Sequence, residues 1–283
     1  MSEKHWIKPP EPGIYYDVPP EIYHSWDAMS ASRIKTLDDS SPKTFDWVSR
    51  HPSAPTEAML FGSMLHVLAL EPFDFAARYA VAPKADRRTK AGKAAWADFQ
   101  ELSAGKKVVT QADYELARAM AHAIHQHPTA PKMLAGGKNE VSIVWDDPAI
   151  GVRCKARLDV WRGGLVLDIK TTIDAHPRSF ERGIWNFGYH RQAAMYVNGL
   201  GVLTGEPHDF VIVAVQKSEP FEVIARRAGE SVIECGRRAC ERALETYKQC
   251  VTTGEWPGYD GAEGTTETLE LPEWAIKQEG VVA

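Results

Sequence analysis

The sequence predicts an α/β fold in which a mixed β-sheet core is flanked by helices and preceded by a helical region. Residues 30–130 show helical periodicity, with capping residues and prolines at the ends of the segments. From residue 138 onward the periodicity changes to that of strands, and a long helical stretch, two more strands and a closing helix follow. Helices before, within and after one sheet-forming region are typical of an α/β arrangement.

The helical region is predicted to begin near Ser30, with an interruption around Ser41-Pro42 before the helix resumes. Thr56 is the expected N-cap of the next helix, which extends to Leu70 and is ended by Pro72. A basic loop follows, and further helical segments come after it. These segments are predicted at residues 83–93 for the loop, and at 94–102 and 111–127 for the helices.

The sheet-forming region is predicted to hold a three-stranded meander and two later strands. The meander consists of the runs NEVSIVW, GVRCKARLDVW and LVLDIKTT, and the later strands are DFVIVAVQK and FEVIARRA. A helical stretch separates the two groups, at about 177–200, and a closing helix covers about 229–251. The expected organisation is an irregular N-terminal arm (1–29), a helical region packed on the core (30–130), the core (131–252) and a mostly irregular C-terminal tail (253–283).

Composition excludes several classes of protein. The 283 residues are 44% hydrophobic and 25% charged, as in an ordinary globular protein. The chain start lacks a basic-then-apolar signal pattern, and the most apolar stretch, MLFGSMLHVLAL, is too short to span a bilayer. We therefore expect a soluble cytoplasmic protein with no membrane partner. The net charge of -5 argues against coating of nucleic acid by bulk electrostatics but is compatible with a locally basic, enclosed channel.

The four cysteines do not form a metal-binding pattern, because none of them has C-x-x-C spacing. Buried free thiols are the expected state, and a zinc site is not expected. These cysteines are Cys154, Cys235, Cys240 and Cys250.

The stretch RLDVWRGGLVLDIKTT, residues 157–172, predicts a β-hairpin closed by Gly163-Gly164. With these two glycines as the loop, Asp159 lies opposite Asp168, where like charges destabilise a strand pair. A divalent cation would turn this opposition into a binding site. The alternative is a solvated face with diagonal ion pairs, each worth little, and a bulge would shift every pairing.

Alternation along the two strands sorts the side chains of the hairpin into two faces. The polar face is predicted to carry Arg157 and Lys170 together with the two aspartates. The apolar face is predicted to carry Leu158, Val160, Leu165, Leu167 and Ile169.

Two helices carry further candidates. His66 shares a helix face with Gly62 and Ser63, whose small side chains permit close approach of a metal or phosphate. The alternative is a histidine satisfied within a packed helix. Gln192 and Tyr196 continue a mostly aromatic helix face, where the glutamine could orient a substrate or a catalytic group. For this face the alternative is ordinary core packing.

A strand-end acid and a basic loop complete the set of candidates. Glu140 opens the strand before the hairpin, either near Arg157 or simply exposed. The basic loop either follows a phosphate backbone or is only solvated. Its charged residues are Lys84, Arg87, Arg88, Lys90 and Lys93.

Four motifs in order resemble the PD-(D/E)xK nuclease superfamily. They are G-S-x-x-H at 62–66, R-x-D at 157–159, D-I-K-T-T at 168–172 and Q-x-x-x-Y at 192–196. The resemblance is to the RecB-like branch, and most of all to phage and prophage exonuclease VIII (RecE)-like exodeoxyribonucleases, through the segments MSASRIKTL, DRRTKAGKAAW and LPEW. It covers the chain from about Tyr23 to the end, and the ordered set is specific although no single motif is.

The resemblance implies a restriction-endonuclease-like fold whose nuclease core is residues 131–252. It also implies that the side chains of His66, Asp159 and Asp168 bind a metal, and that the carbonyl of Ile169 completes the site. One or two ions of Mg²⁺ or Mn²⁺ suit this donor set. Lys170 would then orient or activate the attacking water, with the two aspartates as its catalytic partners.

Supporting roles are implied for the remaining candidates. Gln192 and Tyr196 would support the catalytic residues, and Glu140 is a further acidic candidate. Some relatives hold an iron–sulfur cluster through flanking cysteines, and the absence of cysteine before Cys154 predicts that this chain holds none. The expected DNA contacts are Ser63, Arg87, Arg88, Lys90, Lys93 and Arg157.

The implied function is metal-dependent exonuclease action on double-stranded DNA ends, 5′ to 3′, leaving 3′ single-stranded tails for recombination. A RecT-like annealing protein is the implied partner, and a homo-oligomeric ring, such as a tetramer, the implied assembly. One alternative is a RecB- or Cas4-like nuclease that acts on single strands or flaps in a larger complex. Another is a non-catalytic DNA-binding subunit, which the retention of His66, Asp159, Asp168 and Lys170 disfavours.

Overall fold

The computed structural model describes residues 6–261, 264, 266 and 268–279, and it has the α/β fold that the sequence predicts. Its main sheet is mixed and has six strands in the order β1-β4-β5-β6-β7-β8. Only β6 and β7 are parallel in this sheet, and the other neighbours are antiparallel. The strands are β1 (Gly13–Tyr15), β2 (Tyr79–Val81), β3 (Lys107–Val109), β4 (Lys138–Asp146), β5 (Arg153–Arg162), β6 (Leu165–Thr172), β7 (Asp209–Gln216) and β8 (Val223–Arg227).

Helices cover both faces of this sheet, and several begin where the sequence predicts. Ser30 and Thr56 cap their helices as expected, accepting hydrogen bonds from the amides of Arg33 and Met59. The helices are α1 (Pro20–Ser25), α2 (Ala31–Asp39), α3 (Pro42–Arg50), α4 (Glu57–Leu70), α5 (Phe75–Arg78), α6 (Lys90–Leu102), α7 (Gln111–Gln126), α8 (Ala130–Leu134), α9 (Pro177–Asn186), α10 (Tyr189–Thr204), α11 (Glu230–Thr253) and α12 (Glu273–Gln278).

Two apolar clusters hold these layers together. On one face of the sheet, α2, α10 and α11 pack over buried residues that include Trp145, Phe210 and Leu200. On the other face, α4 and α7 pack over a second cluster that includes Leu65 and Val213. Because both faces are covered, the central strands carry apolar side chains on both sides.

The parallel pairing of β6 with β7 requires a crossover, which α9 and α10 provide. The sequence predicts one helical stretch over 177–200, and this prediction is wrong in its continuity. The helix is interrupted before Gly188, which adopts a left-handed φ of 74°. A side chain is disfavoured in that conformation, so the glycine permits a turn that redirects the second helix.

The N-terminal arm is not irregular, as the sequence predicts, but contributes β1 to the edge of the sheet beside β4 and also forms α1. Polar groups of β5 hold the arm in place. The buried ammonium of Lys155 donates to the carbonyls of Tyr23 and Trp26, and Arg153 donates to that of Pro10. This edge pairing depends on residues about 130 positions away, so local periodicity does not reveal it.

Smaller differences concern the basic loop, the tail and the cysteines. Lys90 and Lys93 lie on α6 rather than in the loop, because Thr89 caps the helix earlier than predicted. The tail contains the short helix α12, and part of the tail, like the first five residues of the arm, lies outside the described residues. All four cysteines are free, but Cys235 is exposed rather than buried because it lies on the outer side of α11.

Among the described residues, no helix combines the length and the apolar character needed to cross a bilayer.

Candidate metal centre

The predicted hairpin forms in the predicted register at its closed end. Beyond Gly163-Gly164, the residue pairs of β5 and β6 run as far as Val160 with Leu167. The ladder ends one residue before the expected pair of aspartates. At that point the Asp159 carboxylate accepts a hydrogen bond from the amide of Ile169 at 2.7 Å. Asp159 therefore binds the backbone of β6 instead of continuing the strand pairing.

The predicted sorting of side chains into one apolar face is wrong for Leu158. Leu158 packs with Val166 in the apolar cluster under α10. Val160 instead packs with Leu167 and Ile169 in the apolar cluster under α4. Two residues separated by one position thus lie on opposite faces of the sheet. The alternation is broken at Asp159, so that Arg157 also leaves the polar face predicted for it.

The neighbouring strand is irregular at the matching position. The β4–β5 ladder contains the pairs Asn139–Val160 and Val141–Leu158 but omits the position between them, where Glu140 faces Asp159. Glu140 adopts a φ of 51°, which is uncommon for a residue with a side chain. Two acids therefore oppose each other across β4 and β5 rather than across the β5–β6 hairpin as the sequence predicts, and the partner of Asp159 is Glu140.

His66, Glu140 and Asp159 form a cluster whose potential ligand atoms all lie within 4.8 Å of one another. His66 Nδ1 lies 3.9 Å from Glu140 Oε1, and Nε2 lies 3.5 Å from Asp159 Oδ2. The same Nε2 makes a 2.9 Å hydrogen bond with the carbonyl oxygen of Ile169. The histidine of α4 thus contacts three strands, β4, β5 and β6, at the point where their ladders are interrupted.

The electrostatics of this cluster favour a positive charge. Burial raises the pKa of Asp159 to about 7, although the neighbouring His66 opposes that rise. Burial alone would lower the pKa of His66, but the carboxylates of Asp159 and Glu140 raise it above its ordinary value. A cluster that draws a proton in this way has the charge and the donor atoms to hold a cation.

Asp168 and Lys170 form a second polar group beside the cluster, on β6. Asp168 is fully buried, and its Oδ1 accepts a 2.6 Å hydrogen bond from Gln192 Nε2. Its Oδ2 contacts Lys170 Nζ at 2.5 Å but has no hydrogen bond of proper geometry. Asp168 lies outside the three-residue cluster, yet its charge raises the pKa of both Asp159 and His66.

Lys170 remains charged in this setting. Burial alone would lower its pKa, but Asp168 and Asp159 raise it above the ordinary value of a lysine. The ring of Tyr189, the first residue of α10, lies 5.3 Å from the ammonium. The contact of Tyr189 with Lys170 is not predicted from the sequence, because it joins a strand to a helix that starts 19 residues later.

Tyr196 is largely a core residue. It is buried and packs edge-on against Phe210 at 6.0 Å between ring centroids. Burial raises the pKa of its hydroxyl well above the ordinary value, and a side-chain hydrogen bond with Gln192 opposes that rise. Tyr196 therefore supports Gln192, which in turn holds Asp168.

Arg157 is engaged with the protein itself. Its guanidinium forms an ion pair and hydrogen bond with Glu140, and it donates to the carbonyl of Val18 in the N-terminal arm at 2.8 Å. The ring of Tyr23, also in the arm, lies 5.8 Å from the same guanidinium. The geometry thus favours a role in holding Glu140, and a contact between Arg157 and DNA stays a prediction.

The other predicted DNA contacts lie on the surface. Ser63 is exposed and donates to the carbonyl of Met59 within α4. Arg87 stacks over the ring of Trp96 at 4.4 Å, so part of the basic segment folds back on α6. None of the ion pairs between described residues includes a charged residue of this segment. Its exposed members are Lys84, Arg87, Arg88, Lys90 and Lys93.

Comparison with known proteins agrees with this architecture. A family model described as "PDDEXK-like domain of unknown function (DUF3799)" matches residues 30–268. The crystal structure of a "Putative exonuclease" from Eubacterium rectale matches with a TM-score of 0.60 at 15% identity, covering 95% of this chain and 100% of that one. A second solved structure, that of SSO0001, reaches a TM-score of only 0.26 at 18% identity, over 46% of this chain and 64% of that one. No curated protein matches.

Proposed function

This chain belongs to the DUF3799 family of PDDEXK-like domains, and on that premise we propose that it is a metal-dependent exodeoxyribonuclease. One observation carries the proposal. The cluster of His66, Glu140 and Asp159 lies beside a buried aspartate–lysine pair, and both groups meet at the end of the β5–β6 hairpin. In metal-assisted hydrolysis of a phosphodiester, a bound cation activates water and a further positive charge stabilises the developing negative charge, and this arrangement supplies groups for both.

The donor atoms fit Mg²⁺ or Mn²⁺. They are hard carboxylate oxygens and one imidazole, and the buried Oδ2 of Asp168 is paired with Lys170 Nζ alone among the described residues. We assign one or two ions to side chains of the cluster and to Asp168, with the Ile169 carbonyl as a further ligand. When bound, such an ion lowers the pKa of a coordinated water and offsets charge on the scissile phosphate.

Three further side chains have separate roles in positioning and charge stabilisation. Lys170, held against Asp168, places a positive charge where the attacked phosphate develops negative charge, and it orients the water. Gln192 fixes the Asp168 carboxylate through its 2.6 Å hydrogen bond. Arg157 holds the Glu140 carboxylate towards the cluster. Each catalytic carboxylate therefore has a partner that fixes its orientation.

The substrate that we propose is linear double-stranded DNA, entered from an end and degraded 5′ to 3′ to leave 3′ single-stranded tails. The resemblance to exonuclease VIII-like proteins supports this choice, and so does the description of the Eubacterium rectale protein as an exonuclease. With a net charge of -5, the chain gains little from bulk attraction to DNA. The exposed basic residues around Arg88 would instead line a passage for DNA within a homo-oligomeric ring, with a RecT-like annealing protein receiving the tails.

Incubation with linear and covalently closed circular duplex tests this function. In Mg²⁺ or Mn²⁺ we expect the linear form to be degraded from its 5′ ends and the closed circle to stay intact, with no reaction in excess chelator. Efficient nicking of closed circles would show an endonuclease. Preference for single strands or flaps would favour the RecB- or Cas4-like alternative, and binding without cleavage in either metal would favour a non-catalytic subunit.

A further inference from the structure

The outer side of α9 and the turn after it carry exposed rings and unpaired positive charge. Arg178, Arg182 and Trp185 follow one another at intervals of four and three residues, so they share one helix face. Trp185 is 66% exposed, and Phe187 in the following turn is 63% exposed. We call these four residues, which are not part of the metal centre, the α9 surface.

The exposure of these rings does not arise because α9 lacks a side that packs on the core. The opposite side of α9 already contributes Phe180, which is buried, and Ile184, which packs against the same core. The ring of Trp185 lies parallel to that of His190, with 4.9 Å between centroids, and Phe187 lies against Gly183. Each ring is therefore held in a fixed orientation while much of its area faces solvent.

The two arginines are not held in ion pairs. Neither Arg178 nor Arg182 forms an ion pair with any residue that the structure describes, although exposed arginines on other helices do. Arg50 pairs with Asp46 on α3, and Arg237 pairs with Glu234 on α11. Asp174 lies near enough to Arg182 for the arginine to lower its pKa, but no carboxylate of the described residues forms an ion pair with either guanidinium. An anion from outside the chain can therefore contact both arginines directly.

The α9 surface adjoins the catalytic lysine. Tyr189 lies 5.3 Å from the Lys170 ammonium on one side, and its ring lies 5.6 Å from that of Phe187 on the other. The next residue along α10 is His190, on which Trp185 stacks. A strand whose phosphate lies at Lys170 would thus meet the α9 surface within a few nucleotides.

We propose that the α9 surface binds unpaired nucleotides of the strand being cleaved. Its bases stack on Trp185 and Phe187, and its phosphates contact Arg178 and Arg182. Aromatic stacking with arginine contacts is a general way of binding single-stranded nucleic acid without sequence preference. The inference rests on the proposed nuclease function, and it adds that the end of the duplex is opened before cleavage.

The test measures binding apart from cleavage. Fluorescence anisotropy of a labelled oligothymidine, in chelator, compares wild type with Trp185→Ala and Trp185→Phe. Loss of one stacking ring should weaken binding about tenfold, and the phenylalanine should restore most of it. Trp47→Ala is the matched control, because Trp47 is 55% exposed and stacks on His51 but lies on α3.

The salt dependence of DNA affinity tests the two arginines separately. Arg178→Ala with Arg182→Ala should reduce the slope of log affinity against log salt by about 0.7 per arginine. The same changes at Arg237 and Arg238, whose charges are paired with Glu234, should leave the slope near its wild-type value. Both pairs of arginines are exposed, so circular dichroism should show folded protein in every case.

Several results would overturn the inference. Equal oligothymidine binding by wild type and Trp185→Ala would do so, as would the absence of binding by wild type. An altered oligomeric state with unchanged DNA binding would instead mark the α9 surface as a contact between copies. If wild type cleaves DNA and these variants bind normally, only this inference fails. If binding depends on Trp185 but no metal supports cleavage, the nuclease function fails, and of the inference only the binding of unpaired nucleotides at the α9 surface remains.

Discussion

The two ends of the β5–β6 hairpin differ in the regularity of their strand pairing. At the closed end, Gly163-Gly164 makes a tight turn and the residue pairs beyond it are regular as far as Val160 and Leu167. At the open end the ladder stops, Asp159 binds a backbone amide, and Glu140 on the next strand takes a left-handed conformation. The polar residues of the candidate metal centre collect at this irregular end.

The difference shows that the candidate metal ligands lie where the regular strand pairing stops. A regular strand would keep Asp159 in line with its ladder and would leave Glu140 paired with it as two repelling acids. Breaking the alternation turns both carboxylates towards His66, at the cost of an unfavourable backbone conformation at Glu140. The closed end stabilises the fold, and the open end gives up some stability to gather the charged side chains.

The largest expected effect is at Asp168. Asp168→Asn keeps the side-chain shape but removes the charge that contacts Lys170 and that we assign to metal binding. Metal binding supplies several kcal/mol of transition-state stabilisation, so cleavage of linear DNA should fall about a thousandfold or more. Asp209→Asn is the control, since this exposed aspartate lies at the start of the neighbouring strand β7.

A thermal melt of Asp168→Asn should show a single cooperative transition at a reduced midpoint, because the change leaves the Lys170 ammonium with less compensation. Cleavage at the wild-type rate by a folded variant would contradict the role of Asp168.

The next effect concerns Lys170. Lys170→Met keeps the apolar stem and removes the charge, so turnover should fall roughly a hundredfold while DNA affinity changes far less. Single-turnover rates and binding measured on the same oligonucleotide separate the two quantities. Lys217→Met is the matched control, because Lys217 follows the adjacent strand and its ammonium lies 5.4 Å from the ring of Phe61. Equal losses of binding and turnover would make Lys170 a binding residue.

A smaller effect tests the irregular end directly. Glu140→Gly and Glu140→Ala both remove the carboxylate, but glycine tolerates a φ of 51° and alanine does not. The glycine variant should therefore be the more stable by about 1 kcal/mol in chemical denaturation. At Lys138, which is exposed and pairs regularly with Trp161, the order should reverse, because glycine weakens a regular strand. The same order at both positions would contradict the strained conformation.

The smallest effect on cleavage is at the closed end. Gly163 has a φ of 54°, so Gly163→Ala should lower the free energy of unfolding by roughly 1–2 kcal/mol. Nothing lies within 4 Å of the added methyl group, and the turn is remote from the polar cluster. Cleavage rates below the melting temperature should therefore match wild type. A large loss of activity in the folded variant would show that the two ends are coupled.

The features that the sequence predicts correctly are mostly those that local signals determine. Local signals are sufficient for the hairpin turn, for the caps Ser30 and Thr56, and for the order of the later strands. Those signals act over a few residues, so periodicity and turn chemistry identify them. The gathering of His66 and Asp159 into one cluster also agrees with the geometry expected from the ordered motifs.

The remaining features depend on contacts distant in sequence. The pairing of β1 with β4 and the link from Arg157 to Val18 join the arm to the core across more than 100 residues. The break of alternation at Asp159 arises from its bond to Ile169 and from the backbone of Glu140. Nothing in the local pattern shows that Glu140 would replace Asp168 in the cluster. Gly188, which separates α9 from α10, is a local signal of the break between the two helices that the prediction of one helical stretch does not use.

Direct measurement of metal binding tests the central claim, that the irregular end of the hairpin is a divalent metal site. Electron paramagnetic resonance of free Mn²⁺ gives its affinity for wild type, for Asp159→Asn and for the control Asp146→Asn at the far end of β4. We expect wild type and the control to bind alike, and Asp159→Asn to bind at least about tenfold more weakly. Equal Mn²⁺ affinity in all three folded proteins would contradict the account.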